Sequence, residues 1–363
     1  MPVSITFNVL LLYITVQNCT FDHPYTREYL TMRLLLILVC TFTVLLPRSG
    51  RAQDSTNYRH MVRIYEDNDL IKLLGNTSDK GYTNGTRLDY YYVKSHDSRF
   101  FLDKLMPKAG REAVNTFGLS LMQTMFTPED LKATEPNVSD WPYTGALFLT
   151  HSLHSSNPKK KYNLQTELIA GVMGKASMAE QLQKGIHKLI KSDEPMGWDK
   201  QYPTDILLNL NIALEKQLWQ YKGILEVMGG GQVMAGTMLD GASVFGQVRI
   251  GKMLPYFDGL IPQFTRPFRQ KNKLQCYLVA RPSLEWVGYN AVLEGGIFNG
   301  KSDYYKNKEQ TISPNHSISR RLDLGLVLGY GCASLSFTQR IMPRLVDGLY
   351  HERLGNLSLY IAW

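Results

Sequence analysis

Apolar and polar residues alternate with a period of two along most of the chain. Val62 and Ile64 alternate with Arg63 and Tyr65, and Leu88, Tyr90 and Tyr92 with Arg87, Asp89 and Tyr91. Leu208, Leu210, Ile212 and Leu214 stand against Asn209, Asn211 and Glu215, and Val244, Val248 and Ile250 against Gln247 and Arg249. The run Leu322, Leu324, Leu326, Leu328 opposes Asp323, Gly325 and Gly329. Each segment reads as a one-sided β-strand, and about a dozen recur. The last one ends the chain, with Leu357, Leu359, Ile361 and Trp363 on a single face. One stretch has a different period. Between Met178 and Ser192, Leu182, Ile186, Leu189 and Ile190 fall at helical spacing, with His187 beside them. Asp193-Glu194-Pro195 and Gly197 stop that helix.

One-sided strands build either a soluble sandwich or a membrane barrel that is apolar outside and polar within. Three features favour the barrel: a secretory leader, tyrosine at strand ends, and a C-terminal aromatic on the closing strand. Residues 32–52 carry the leader pattern, with Arg33, an apolar run from Leu34 to Leu46 and small residues at Gly50 and Ala52. The expected organisation is an upstream extension over residues 1–31, a signal peptide over 32–52 and an outer-membrane barrel over 53–363. The 21 tyrosines include the run Tyr90-Tyr91-Tyr92, as an interfacial girdle requires. The expected fold is thus all-β: a transmembrane antiparallel barrel of about 12 strands with a short helix in an external loop.

Composition changes this picture little. A formal charge of +8 suits a surface among anionic headgroups and gives no ground for nucleic-acid binding. Of four cysteines only Cys276 and Cys332 lie beyond the leader, enough for one disulfide or none and without metal-site spacing. Gly229-Gly230-Gly231 lacks the lysine and strand-to-helix context of a phosphate loop. Lys159-Lys160-Lys161 reads as a solvated turn.

The chemistry concentrates between Glu66 and Gly85. Glu66, Asp67, Asn68 and Asp69 open this stretch, and Asp79, Tyr82, Thr83 and Asn84 close it. Such residues also make ordinary turns. As ligands, their oxygens suit a hard cation such as calcium better than zinc. With the N-terminus on the periplasmic side, the connections Glu66 to Tyr82, Thr127 to Tyr143 and Gly174 to Thr204 all emerge at the external mouth. The acidic–amide cluster, Lys132 and His187 then share one rim. Strand parity puts Asp69 on the face of Arg63 and Tyr65, and Thr83 on the face of Arg87 and Asp89, so both are expected to point into the lumen. Ser95 to Asn115 makes an inward connection longer than barrels usually have.

At these residues the chain resembles the outer-membrane lipid A deacylase family of the LpxR type. The resemblance rests on Asp67-Asn68-Asp69-Leu70, Asp79-Lys80-Gly81-Tyr82-Thr83-Asn84-Gly85, Pro142-Tyr143-Thr144-Gly145, Gly171-Val172-Met173-Gly174, and a Gln-x-x-x-His helix followed by Glu194-Pro195-x-Gly197-Trp198-Asp199-x-Gln201. These blocks run in family order through the first half of the mature chain; the second half matches mainly in its strand pattern. The resemblance implies a calcium-dependent hydrolase that removes 3′-linked acyl chains from lipid A. By position, Asn68 and Asp69 match the family's Asn-Asp pair, His187 its base, and Asp193 or Glu194 the partner of that base. Thr83 matches the hydroxyl residue opening the second strand and Lys132 a substrate-binding lysine, with Asp69 and Thr83 as metal ligands. The implied surroundings are lipopolysaccharide and other outer-membrane lipids, with the protein a monomer. The competing readings are a non-catalytic lipid-binding barrel, a porin-like barrel and a barrel phospholipase. No Gly-x-Ser-x-Gly elbow appears, which favours direct attack by water over a serine nucleophile.

Overall fold

The structure is a computed structural model. It describes residues 58–68, 71, 81–96, 98–266, 274–309, 314, 316–342, 345–346, 349 and 351–363. The leader, the upstream extension, Asp69, Asp79 and Lys80 lie outside these residues.

The alternating segments form twelve strands: β1 (His60–Asn68), β2 (Gly81–Val93), β3 (Val114–Thr127), β4 (Thr144–Asn157), β5 (Tyr162–Met173), β6 (Asp205–Tyr221), β7 (Leu225–Gly236), β8 (Leu239–Lys252), β9 (Leu274–Asn290), β10 (Ser319–Tyr330), β11 (Ala333–Ile341) and β12 (Arg353–Ala362). Each pairs antiparallel with its neighbours in sequence, and β1 pairs with β12, from Met61 opposite Ala362 to Asn68 opposite Gly355. That last pairing removes the two edges an open sheet would leave. Among the described residues no helix is long and apolar enough to cross a membrane; the strands are the spanning elements.

The period-two pattern is read as the barrel argument requires. Leu88, Leu119, Leu149, Leu208, Val244 and Leu284 stand exposed on the outer wall. Their alternates turn into the lumen and neutralise one another there. Arg63 Nε and Arg87 Nε meet opposite oxygens of Asp89 at 2.6 and 2.7 Å. Arg249 pairs with Glu226 at 2.8 Å, Arg281 with Glu215 at 3.2 Å, and Arg340 with Asp67 at 2.7 Å. A charge inside such a barrel is sustained only by a partner of this kind, since isolated burial is costly.

Both ends of the lumen are filled. At the end carrying the termini, the connection after β8 folds inward through a 3-10 turn (Tyr256–Asp258) and the short helix α3 (Leu260–Phe264). Ile261 packs there with Met61, Tyr91 and Tyr360, and Phe264 stacks on Tyr360 at 3.9 Å. At the far rim, helices α4 (Ala291–Glu294) and α5 (Asp303–Asn307) lie between β9 and β10. Val292, Leu293 and Tyr305 join Phe126, Trp141 and Phe148 in a second core. Between the plugs the charged interior keeps cavities of about 210 and 260 Å³.

Two other connections carry helices that lie against the outside of the barrel. The long one after β2 forms helix α1 (Phe101–Leu105), which covers Phe117 and Leu153 on the outer wall. The helix expected over Met178 to Ser192 is α2 (Ala179–Ile190), but its stripe is reversed. Ala179, Gln183 and His187 face the barrel, while Leu182, Ile186 and Leu189 are exposed, the last by 83%. The reversal has a physical reason: beside a lipid-facing wall, outward is the apolar direction. Cys276 and Cys332 are both free thiols.

With packed clusters at both ends, the barrel is expected to pass no steady ion current. Planar-bilayer recordings of the purified protein should show no steady conductance steps; steps of porin size would contradict the packing of both ends.

Candidate active site on the outer wall

The site grows from one irregularity in β2. Pairing of β2 with β3 is regular from Val93 up to Asn84, then slips by one residue, so that Tyr82 rather than Thr83 pairs with Phe126. Such a bulge leaves one residue unpaired and re-aims its side chain. Thr83 therefore does not follow the lumen-facing parity of Arg87 and Asp89. Its hydroxyl lies 2.7 Å from that of Thr127. Thr127 shares the outer face of β3 with the exposed Leu119 and Leu121, so the lumen placement expected from parity is corrected: Thr83 belongs to the outer wall.

Around Thr83 the same wall gathers oxygen-bearing groups. Asn84, which lies opposite Asn68 in the β1–β2 register, donates its amide to Glu66 Oε1. Thr86 donates to Glu66 Oε2 at 2.7 Å and to Asn84 Oδ1 at 3.2 Å. Glu66 alternates in phase with the exposed Ile64, which fixes it on the outer side. Asp67, one residue on, points the other way into the lumen, where it is 1% exposed and accepts from Tyr65 and Arg340. The lumen thus braces β1 from behind while its front face carries Glu66.

Over this wall hangs the connection after β5. A 3-10 turn (Gly174–Ser177) leads into α2. The approach depends on Gly145 in β4, where a Cβ would come within 2.3 Å of the Ala179 Cβ and 2.6 Å of Ser177 Oγ. Gln123, on the outer face of β3, donates to the Ser177 carbonyl at 2.6 Å. Below α2, Trp198 donates its indole N–H to Gln183 Oε1 at 2.7 Å and packs on Tyr143, both aromatics being fully buried.

One turn beyond Gln183 comes His187, nearly buried at 6% exposure. Its Nδ1 lies 2.5 Å from the backbone carbonyl of Asp193. A carbonyl only accepts, so Nδ1 carries a proton, and in the neutral ring Nε2 is the nitrogen with the free lone pair. The carboxylate of Asp193 is engaged elsewhere, 3.1 Å from Lys132 Nζ. Glu194 is exposed. The partner sought among the two side chains is thus supplied by the main chain of Asp193. The Lys132 loop is held to the same segment, since Met196 N–H donates to the Leu131 carbonyl at 2.8 Å.

The structure therefore joins His187, Asp193 and Lys132 in one connected unit, and sets Thr83 and Asn68 on the wall under the same rim. In the sequence Glu66 and Asn84 stood only as members of the oxygen cluster, Gln183 and Trp198 only as members of the family blocks, and Thr127 only as the start of a connection. The phase of Ile64 was a usable signal for Glu66; nothing in the spacing announced the bulge. Among the described residues no cluster of three or more His, Cys, Asp or Glu forms. The wall's donors are carboxylate, amide and hydroxyl oxygens alone, a set that fits a hard cation and not zinc.

On the lumen side of this rim stands Glu352, in the connection before β12. It is 4% exposed, neither carboxylate oxygen has a side-chain partner among the described residues, and Oε1 crowds against Gly81. Burial pushes its carboxyl up to about 8 from an ordinary 4.5.

A twelve-stranded barrel packed at both ends, with a buried histidine and an oxygen cluster on its lipid-facing wall, defines an integral outer-membrane protein whose candidate chemistry faces the bilayer. The family model described as outer membrane protein LpxR matches residues 35–363, and the chain belongs to that family. Among solved structures, LpxR from Salmonella typhimurium superposes with a TM-score of 0.67 at 16% identity, covering 84% of this chain and all of the other. The β domain of the Bordetella autotransporter BrkA covers 84% of this chain and 99% of its own at 9% identity, with a TM-score of only 0.41. No curated protein sequence matches.

Two measurements check this geometry. The raised carboxyl of Glu352 is protonated in the fold up to about pH 8 but ionises near 4.5 in the unfolded chain. Folding stability should accordingly fall as pH rises from 4.5 to 8. Glu352→Gln should remove that fall, raising the melting temperature at pH 8 but not at pH 4.5; equal effects at both would contradict a buried carboxyl without a side-chain partner. Gly145→Val should displace α2, detected as new proteolysis within residues 174–204 while the barrel still migrates as folded. Unchanged protection would show that the turn does not rest on Gly145.

Proposed function

We propose that the protein is a calcium-dependent hydrolase that removes ester-linked 3′-acyl chains from lipid A by direct attack of water. The observation that carries this reading is His187, its tautomer fixed by the Asp193 carbonyl and its Nε2 left basic, on a helix that overhangs the outer wall. Family membership supports it, and so does the filled lumen, which leaves the porin alternative without a passage.

In this mechanism His187 Nε2 takes a proton from water as the oxygen bonds to the ester carbon. The same proton passes to the sugar-side oxygen as the carbon–oxygen bond breaks, releasing a fatty acid and an alcohol. Gln183 and Trp198 hold α2 in place so that the imidazole stays over the wall. The Asn68 amide would face the position where negative charge develops, while the Asn84 amide holds Glu66. Glu66 and Thr83 on the wall, together with Asp69 as the family resemblance implies, would supply oxygens for a calcium ion, which when bound would polarise the ester carbonyl. Lys132 offers a point charge to a sugar phosphate, with Asp193 as its resting partner.

His187→Ala should lower the rate of acyl release by about a hundredfold or more. Mass spectrometry of lipid A from cells expressing each form would show it as the return of one acyloxyacyl unit. Full cleavage by a folded His187→Ala barrel would remove the proposed base. Chelation with EDTA should abolish release, and added calcium should restore it where magnesium does not; activity indifferent to EDTA would remove the cation. Release of fatty acid from glycerophospholipid, with lipid A untouched, would instead establish the phospholipase reading.

A further inference from the structure

A hydrocarbon concavity lies on the outer wall across β2 to β7, below the rim that carries α2, and reaches α1 at its foot. Its volume is about 870 Å³, and its lining includes Leu88, Leu119, Leu121, Leu149 and Leu208, with Leu102 of α1 at its foot. The lower end is a built feature. Asp103 of α1 is fully buried, accepts from Lys94, and lies 2.7 Å from His151 Nε2. Met106, Phe117 and Leu153 pack beneath it. A buried carboxylate anchored by two basic groups fixes this ledge against a wall that elsewhere is bare to lipid. The outward residues Phe100, Phe101 and Leu105 are exposed, so the ledge itself is clad for a hydrocarbon medium.

The depth of the groove matches a lipid chain. From Met125, under α2, down to Phe117, under α1, the strand covers ~26 Å. At a barrel tilt of ~40° that is ~20 Å along the membrane normal. One leaflet contributes about 15 Å of hydrocarbon. The ledge therefore stands just past the depth to which an acyl chain reaches when its ester lies at the rim. A second apolar concavity, lined by Leu214, Val233, Val244 and Leu284, lies on another part of the wall and, unlike the first, has no residue of α1 in its lining.

We infer that this groove below the α2 rim seats the acyl chain of the lipid being cleaved, and that Leu102 on the α1 ledge sets the longest chain accepted. The inference rests on the hydrolase reading above and deepens it from a reaction to a length preference. Chains shorter than the groove gain contact with each added methylene, whereas longer ones meet the ledge and lift the ester away from His187.

The test uses the full-length protein in mixed micelles with synthetic lipid A species differing only in acyl length. Wild type should show a length limit. Leu119→Trp, which shortens the groove, should move that limit to shorter chains and lower kcat/KM at least tenfold for the longest chain wild type accepts. Leu102→Ala should extend the limit, and Val244→Trp, in the other concavity, should leave it in place. An identical length profile in all four proteins overturns the inference. A photo-crosslinking arm separates this from failure of the hydrolase reading, because it needs no turnover. With His187→Ala protein, lipid A bearing a chain-terminal diazirine should label Tyr90, Leu102 and Leu119 in preference to the rest of the wall. Phosphatidylethanolamine with the same label should not. Equal labelling by both lipids, or labels spread round the barrel, overturns the groove even if acyl release is observed.

Discussion

The candidate site depends on one close packing: the Gly174–Ser177 turn and the start of α2 resting on the outer face of β4 at Gly145. No other residue leaves room there, because a Cβ would overlap Ala179 and Ser177. The Gln123–Ser177 hydrogen bond and the Trp198–Gln183 bond fix the same segment from either side. Once the turn is seated, the helix can bury only its Ala179–Gln183–His187 face against the wall. A single missing methyl group thereby places an imidazole on the lipid side of a membrane barrel.

The lumen and the outer wall divide the work. Inside, arginines and carboxylates neutralise one another, and both ends are filled, so the barrel is a rigid support and not a passage. The Asp67–Arg340 pair shows how the two sides are coupled: it holds β1 from within at the level where Glu66 faces outward. A lipid ester is not expected to enter a charged interior packed at both ends, but it can slide along the wall within its own leaflet. Chemistry on the outer wall lets such a substrate stay in the bilayer throughout.

Much of this was legible in the sequence because period-two alternation survives translation into a barrel unchanged. Leu88 against Asp89, or Leu208 against Asn209, settles which side faces lipid, and Trp363 marks the closing strand. Three things were hidden. The bulge at Thr83 inserts one residue and turns a correct parity argument into the wrong face. The stripe of Leu182, Ile186 and Leu189 reads as core-facing in any helix of a soluble protein, yet a lipid environment reverses its meaning. The bond to His187 comes from the main chain of Asp193, and no side-chain motif encodes a carbonyl. Each failure is local, and each falls at the site.

Under the proposed mechanism, substrate meets these residues on the outer wall and not in the lumen. A crystal structure of the protein with a non-hydrolysable lipid A analogue, its scissile ester replaced by an amide or ether, tests it most directly. The replaced linkage is expected between α2 and the rim of β2 and β3, within hydrogen-bond reach of His187 Nε2. A ligand bound in the lumen, or on the wall far from α2, would contradict it.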